Sequence, residues 1–217
     1  MERKKTSTEK FLEEINKNGG IASILIKALD IKNPSIEENT KLLLNYGWYI
    51  SAKMQLKKIS NVIELIKLEK IEDAENILIT FFKENLEKIE EQLIDKHTER
   101  KGIINEAFKA HRNEMYYSST ILFLSQGDGI IDGKIFHNRQ NLEKHLDKSK
   151  NPNFIKILKE DSSLNVPSIK INKSKYFSKL NRHAVMHGES LDYGTEKNSL
   201  KALSLCCFVS DWYNRYE

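Results

Sequence analysis

Three residues near the C-terminal end of the chain have types and a spacing that suit phosphate chemistry: Arg182, His183 and His187, in the stretch NRHAVMHG. Histidine, with an ordinary pKa of about 6.5, can take up or release a proton at neutral pH. Arginine carries a permanent planar charge that suits the nonbridging oxygens of a phosphate. We therefore predict that His187 transfers protons, Arg182 stabilises a phosphate and His183 orients or contacts it.

These residues must be positioned by a helix, which the sequence predicts over residues 175–187. Its buried stripe is expected to comprise Phe177, Leu180 and Ala184. At 100° per residue, Arg182 then lies about 140° around from His187, and His183 about 40° from His187. A rise of about 7.5 Å also separates Arg182 from His187, which is far for one phosphate. We therefore expect a homodimer in which two motif helices face each other and bring two arginines and two histidines into one cleft.

The approach to this helix is strongly basic. Residues 148–187 contain nine lysines and arginines against two acids, a local charge of +7, whereas the whole chain carries +4. A polyanion such as RNA would prefer this stretch. The alternative is a solvated lysine-rich surface with no ligand, which is common for runs of charge.

A second chemistry for the same residues is zinc binding, because His183 and His187 are four apart and face the same way on a helix. A third ligand would have to come from Glu189, Asp192 or Cys206. The sequence lacks the glutamate that follows the first histidine in a zincin motif, and it has no CxxC pair. We therefore predict a site without a metal and without a cofactor.

Only three prolines and nine glycines interrupt long stretches with apolar residues at helical spacing, which predicts an all-α protein. We expect helices over about 6–18, 35–46, 53–68, 72–97, 99–112, 114–126, 138–147, 152–160, 175–187 and 196–214. The glycine-rich stretch 127–134 should end one of them. Asp128 and Asp132 in that stretch resemble calcium ligands, but the spacing and closing glutamate of an EF-hand are missing, so a plain turn is favoured.

Aromatic residues outside the motif are further candidates for contact with a substrate. Trp48 and Tyr49 could offer bases a stacking surface, although packing is favoured. Tyr193 and Gly194 follow the motif in a loop that could close over a substrate. The remaining histidines are assigned no role: His97, His111, His137 and His145.

Composition predicts a globular protein, with 39% hydrophobic and 30% charged residues. The N-terminal MERKKTSTEKF lacks the apolar stretch of a secretory signal, and no later run reaches the roughly 18 apolar residues of a membrane span. Cys206 and Cys207 are adjacent, which makes a structural disulfide between them unfavourable and suits a reducing compartment. We expect a cytoplasmic protein with no membrane partner, in which both cysteines are small core residues.

The motif Arg182-His183-x3-His187 resembles the R-polar-x3-H motif of HEPN ribonucleases, and its place late in an all-helical domain is similar too. The surrounding LNRHAVMHGESLDYGTEKNSLKALSL resembles bacterial and phage-borne helical proteins suspected of defence roles. The resemblance implies an antiparallel helical bundle that dimerises with its motifs facing each other. The resemblance also implies a HEPN-like domain over 46–217. Residues 1–45 lie outside the resemblance and are expected to form an N-terminal helical extension, and the length of the chain favours one compact unit.

The activity that the resemblance implies is metal-independent cleavage of RNA by an endoribonuclease. Attack by the ribose 2′-OH leaves a 2′,3′-cyclic phosphate, and DNA, which lacks this hydroxyl, should be spared. Such an enzyme is expected to act as a toxin or phage-defence effector that an inhibitor or regulator restrains. The alternative is a non-catalytic HEPN-like module for interaction or dimerisation, because a fold does not establish an activity.

Overall fold

The structure, a computed structural model, describes residues 34–137, Leu142, 152–171 and 177–213. These residues form helices joined by loops and contain no strand, which confirms the all-α prediction. The helices are α1 (Pro34–Asn45), α2 (Leu56–Lys67), α3 (Ile71–Glu84), α4 (Leu86–Lys96), α5 (Lys101–Arg112), α6 (Tyr116–Gly129), α7 (Lys134–His137), α8 (Pro152–Lys159), α9 (Ser168–Ile171), α10 (Arg182–Met186) and α11 (Glu196–Trp212). The helix predicted over 6–18 lies outside the described residues, as does all but Leu142 of the one predicted over 138–147.

Helices α2 and α3 pack against each other across the short turn that the sequence predicts. The apolar stripe of α2 buries Ile59, Val62, Ile63 and Ile66, although Leu56, expected on the same stripe, is exposed at the first position of the helix. The chain reverses at Glu69, whose φ is +57°. The core also includes Leu43 and Leu44 from the last turn of α1.

The prediction of a single helix over 72–97 is wrong, because the structure divides this segment into α3 and α4 at Asn85. The side-chain amide of Asn85 donates a hydrogen bond to the Phe81 carbonyl oxygen at 2.7 Å. Asparagine competes in this way with the backbone for a helical carbonyl, which explains its preference for helix ends. Phe82, before the break, and Ile89, after it, are both buried in the core.

Helix α11 forms the centre of the protein. Every residue from Ser199 to Ser210 is buried, and the helix packs most extensively on α6. A helix buried all round needs no polar face, which explains why its sequence lacks a clear amphipathic stripe. Cys206 and Cys207 are free and buried here, as predicted, and burial raises the pKa of the Cys206 thiol to about 12.

The sequence predicts that the glycine-rich stretch ends α6 at residue 126, but the helix runs on to Gly129. This part of α6 packs on α11, since a β-carbon on Gly127 would lie in ordinary van der Waals contact with Leu205, at 3.4 Å. The chain turns only at Asp132 and Gly133, where φ is positive. Asp128 accepts a hydrogen bond from the Ile135 backbone N–H at 2.9 Å, beside the start of α7.

A buried hydrogen-bond network joins α5, α6 and α11. His111 Nδ1 lies 2.9 Å from Ser199 Oγ, which in turn lies 2.7 Å from Ser119 Oγ. All three side chains are buried, so this histidine and these serines cannot meet a substrate. His97 is likewise buried, with Nε2 2.9 Å from Ser210 Oγ. No local pattern predicts that either histidine lies in the core, where both hold α11 to its neighbours.

The buried His111 predicts acid sensitivity. Burial lowers the pKa of its imidazole below the ordinary 6.5, so the unfolded chain binds a proton more readily than the folded one. Stability should therefore fall as pH drops below about 6.5, and this loss should stop at the folded-state pKa. Urea unfolding at pH 7.5 and 5.5 measures it. In His111→Gln, the free energy of unfolding should differ less between pH 7.5 and pH 5.5 than in the wild type. An unchanged difference would contradict the assignment to His111.

Among the described residues, no helix is both long enough and apolar enough to cross a membrane.

Candidate functional site

The motif lies on a single helical turn and not on the long helix predicted over 175–187. Helix α10 spans Arg182–Met186, and the described residues before it, 177–181, are not helical. The backbone N–H groups of Phe177 and Ser178 both point to the carbonyl oxygen of Asn45, at 3.0 and 3.4 Å. These bonds to α1 hold the segment out of a helix. The predicted buried stripe fails for the same reason, since Phe177 is 61% exposed whereas Leu180 is buried.

Asn181 anchors the motif turn to the rest of the protein. Its side-chain oxygen accepts a hydrogen bond from the Ala184 N–H at 2.9 Å, as an N-cap does. Its Nδ2 donates to the carbonyl oxygens of Ser163 and Val166, both at 2.8 Å. Asn181 is completely buried, so these three bonds replace water entirely. The motif therefore starts from a fixed point although its helix is short.

Asn181→Ala is expected to lower the free energy of unfolding by about 3 kcal/mol. The substitution removes the cap and leaves two buried carbonyl oxygens without their donor. Chemical denaturation of purified protein measures the change. Asn113→Ala, at an exposed asparagine after α5, is the matched control and should change stability by less than about 0.5 kcal/mol. Equal effects of both substitutions would show that Asn181 is not an anchor.

The structure brings His183 and His187 together, as their spacing predicts. Their ring centroids are 4.4 Å apart with an interplanar angle of 41°. The His187 N–H donates to the His183 carbonyl oxygen at 3.0 Å, so the helical turn continues through both residues before Gly188, with φ of +72°, ends it. Both histidines are exposed. Two imidazoles are therefore presented side by side to solvent, where a substrate can reach them.

Arg182 is held differently. Its guanidinium lies over the Phe136 ring, 4.9 Å from the centroid, and its backbone N–H bonds to the Leu164 carbonyl oxygen. A ring face fixes the guanidinium plane without neutralising its charge. Within the described parts of the chain, no carboxylate forms an ion pair with Arg182. The arginine is thus half-buried, oriented by Phe136 and still charged.

The loop that follows the motif is fastened to α6 by Tyr117. The Tyr117 hydroxyl donates to the Leu191 carbonyl oxygen at 3.0 Å, and its ring packs edge-on against Tyr193. The Tyr117 ring occupies the place where a β-carbon on Gly194 would lie, which explains the glycine. Tyr193 and Gly194 therefore belong to a loop already packed on α6.

The structure also bears on two alternatives, the stacking surface at Trp48 and Tyr49 and the zinc site at His183 and His187. Trp48 and Tyr49 are buried in the core, so they offer no stacking surface for bases, in line with the favoured packing role. Cys206, a possible third zinc ligand, is buried in α11, whereas His183 and His187 are exposed. Among the residues that the structure describes, no group of three or more histidine, cysteine, aspartate or glutamate side chains is arranged to hold a metal ion.

Sequence reasoning missed a buried ion-pair centre under an open cavity. Glu75 of α3 accepts hydrogen bonds from Lys201 at 2.8 Å, Lys197 at 2.6 Å and Trp48 Nε1 at 3.2 Å. Burial opposes ionisation of the Glu75 carboxyl, but the two ammonium groups and the indole N–H outweigh it and lower its pKa. Burial also lowers the pKa of Lys201, which Glu75 only partly offsets. The spacing of Lys197 and Lys201, one turn apart on α11, was the only signal in the sequence.

The structure thus joins His183 to His187 and places Arg182 beside them on the same turn, with its guanidinium on Phe136. Within one chain, Arg182 and the two histidines are held by different contacts: the guanidinium lies on Phe136, and the two imidazoles lie beside each other. No family model, curated protein or solved structure matches this chain.

Proposed function

We propose that the protein is a metal-independent endoribonuclease with Arg182, His183 and His187 in its active site. The observation that carries this proposal is the exposed pair of imidazoles, with ring centroids 4.4 Å apart, on one turn with an oriented arginine that has no ion-pair partner among the described residues. Acid–base groups and a fixed positive charge are what phosphodiester cleavage by an internal hydroxyl requires. The resemblance to the HEPN motif supports the same chemistry.

In the proposed reaction, the ribose 2′-oxygen forms a bond to phosphorus and the bond from phosphorus to the 5′-oxygen breaks. His187 takes the proton from the 2′-OH, and an imidazolium returns a proton to the departing 5′-oxygen. Arg182 stabilises the charge on the nonbridging oxygens. His183, whose ring lies beside that of His187, orients the base or contacts the phosphate. The products are a 2′,3′-cyclic phosphate and a free 5′-hydroxyl.

We propose that the active form is a homodimer with its motif turns facing each other. Exposed apolar side chains surround the motif, namely Met186, Tyr117 and Leu191, the last with 80% of its surface in contact with solvent. A second copy would cover this surface and bring its own Arg182 close to the histidines. The long distance that the sequence predicted between Arg182 and His187 within one chain is then no obstacle.

RNA is the proposed partner because positive charge precedes the motif in the chain, with nine lysines and arginines against two acids over 148–187. Lys179 is exposed three residues before Arg182 and, within the part of the chain that the structure describes, forms no ion pair. Uncontrolled RNA cleavage is toxic, so we propose a conditional toxin or phage-defence effector that acts in the cytoplasm under the restraint of an inhibitor or regulator.

One observation favours a second candidate, a non-catalytic module for dimerisation. Arg182 is stabilised by Phe136 within its own chain and does not require a substrate to hold its conformation. On that reading the exposed surface around Met186 and Leu191 is only an interface. Both candidates predict a dimer, so the chemistry must separate them.

The test uses an RNA substrate that lacks a single 2′-hydroxyl, the proposed nucleophile. After the cleaved bond in a labelled RNA is mapped, a single 2′-deoxy nucleotide is placed immediately 5′ of that bond. Cleavage there should fall below detection, because the attacking hydroxyl is gone. The control RNA carries its 2′-deoxy nucleotide one position further along and should be cleaved normally at the mapped bond. Undiminished cleavage of the first substrate would rule out the proposed mechanism.

A further inference from the structure

An open cavity of about 540 Å³ lies on the surface above the Glu75 ion-pair centre. Its size falls within the range of small-molecule sites, which run from roughly 300 to 1,000 Å³. Its lining comes from distant parts of the sequence: the end of α1, the start of α3, residues 177–179 and the start of α11. Neither His183 nor His187 lines it, so the inference does not depend on the ribonuclease proposal.

Part of the lining is aromatic. Phe177 stacks on Tyr46, with ring centroids 4.7 Å apart and an interplanar angle of 14°. Tyr46 is buried, whereas Phe177 is mostly exposed. An exposed ring is unfavourable in water unless something covers it, and a second flat ring can stack on its free face. This part of the cavity therefore favours a planar apolar group.

The rest of the lining is positively charged. Lys179, Lys197 and Lys201 face two glutamates, Glu69 and Glu75, which leaves the lining with a formal charge of +1. Lys197 and Lys201 share Glu75, so this centre carries one more positive than negative charge. Lys179 lies at the exposed side and has no ion-pair partner among the described residues.

The start of α11 lines the same cavity. Thr195 caps this 17-residue helix by accepting a hydrogen bond from the Asn198 N–H at 3.2 Å, and both residues line the cavity. The partial positive charge of a helix N-terminus favours an anion. This feature acts together with Lys179 and Lys197, which supply full charges.

We propose that this cavity binds a small organic anion that carries a flat ring. The ring stacks on Phe177, and its carboxylate or phosphate is bound by Lys179, Lys197 and the first turn of α11. The buried Glu75–Lys201 ion pair forms the floor of the cavity. A carboxylate and a phosphate offer the same charge to these donors, so the experiment includes one ligand of each kind.

Isothermal titration calorimetry of the full chain, with 1-naphthoate and 1-naphthyl phosphate as probes, tests the proposal. At least one of them should bind, and 1-naphthol and inorganic phosphate should each bind at least about fivefold more weakly, because each lacks one half of the recognised group. The stronger of the two anions identifies the preferred acid. Failure of both to bind up to millimolar concentration, or equal binding of 1-naphthol, would overturn the proposal.

Two exposed residues allow the site to be changed without disturbing the core. Phe177→Ala and Lys179→Ala should each weaken binding about fivefold, the first by loss of stacking and the second by loss of charge. Added salt should weaken binding to the wild type more than to Lys179→Ala. Ile169→Ala and Lys109→Ala, at an exposed apolar residue and an exposed lysine outside the lining, are the matched controls. Unchanged binding in both Phe177→Ala and Lys179→Ala would place the ligand elsewhere and refute the assignment.

Discussion

A His187→Ala protein is expected to cleave RNA about 10²- to 10⁴-fold more slowly than the wild type, which is the usual contribution of a proton-transfer residue. The imidazole of His187 is exposed and lies tilted against that of His183, so its loss removes the proposed base without opening a cavity. The free energy of unfolding should change by less than about 0.5 kcal/mol. Single-turnover cleavage of a labelled RNA and urea denaturation measure the two quantities.

Met186→Ala is the matched control for this prediction, because Met186 is exposed on the same turn and carries no group that can transfer a proton. The catalytic groups of its dimer should be intact, so any loss of rate should be recovered at high protein concentration, where the dimer forms again. His187→Ala should not be recovered in this way. Equal rates for His187→Ala and the wild type would remove His187 from the mechanism.

Glu75→Ala is expected to lower the free energy of unfolding by about 3–5 kcal/mol, the largest stability effect that we predict. It leaves the Lys201 ammonium buried without its carboxylate and deprives the Trp48 indole N–H of its acceptor. Removal of one partner of a buried ion pair is costly because the remaining charge has lost the water that would otherwise solvate it. Chemical denaturation at pH 7 measures the change.

The double substitution Glu75→Leu with Lys201→Met is the informative comparison. Replacing both charges by apolar side chains of similar size should recover most of the stability that Glu75→Ala loses. Glu196→Ala is a suitable surface control, because the Lys83–Glu196 pair is solvent-exposed and should contribute less than about 1 kcal/mol. If Glu75→Ala cost no more than Glu196→Ala, the buried centre would not stabilise the fold.

The helical part of the fold could be predicted well from local periodicity. Apolar spacing identified α2 and α5, because each has enough buried positions on one stripe to define a helix by itself. The break at Asn85 was missed, since the apolar pattern continues across it while a side-chain hydrogen bond decides the backbone. The extension of α6 through Gly127 was also missed, because the close approach of α11 is a tertiary contact that local composition does not show.

The candidate site was predictable in part for a related reason. The proximity of His183 and His187 depends only on one helical turn, which their spacing of four fixes. The non-helical course of 177–181 depends instead on hydrogen bonds from Phe177 and Ser178 to Asn45, more than 130 residues earlier in the chain, and no local pattern contains them. The stacking of Arg182 on Phe136 and the pairing of Glu75 with Lys201 likewise join distant residues.

The most direct test of the central proposal is incubation of purified wild-type protein with a 5′-labelled RNA in excess EDTA, followed by analysis of the new 3′ ends. The proposed chemistry uses only Arg182 and the two histidines, so cleavage should proceed at an undiminished rate in the chelator. The fragments should end in a 2′,3′-cyclic phosphate. Cleavage that appears only when a divalent metal is supplied, or fragments that end in a 3′-hydroxyl, would contradict it.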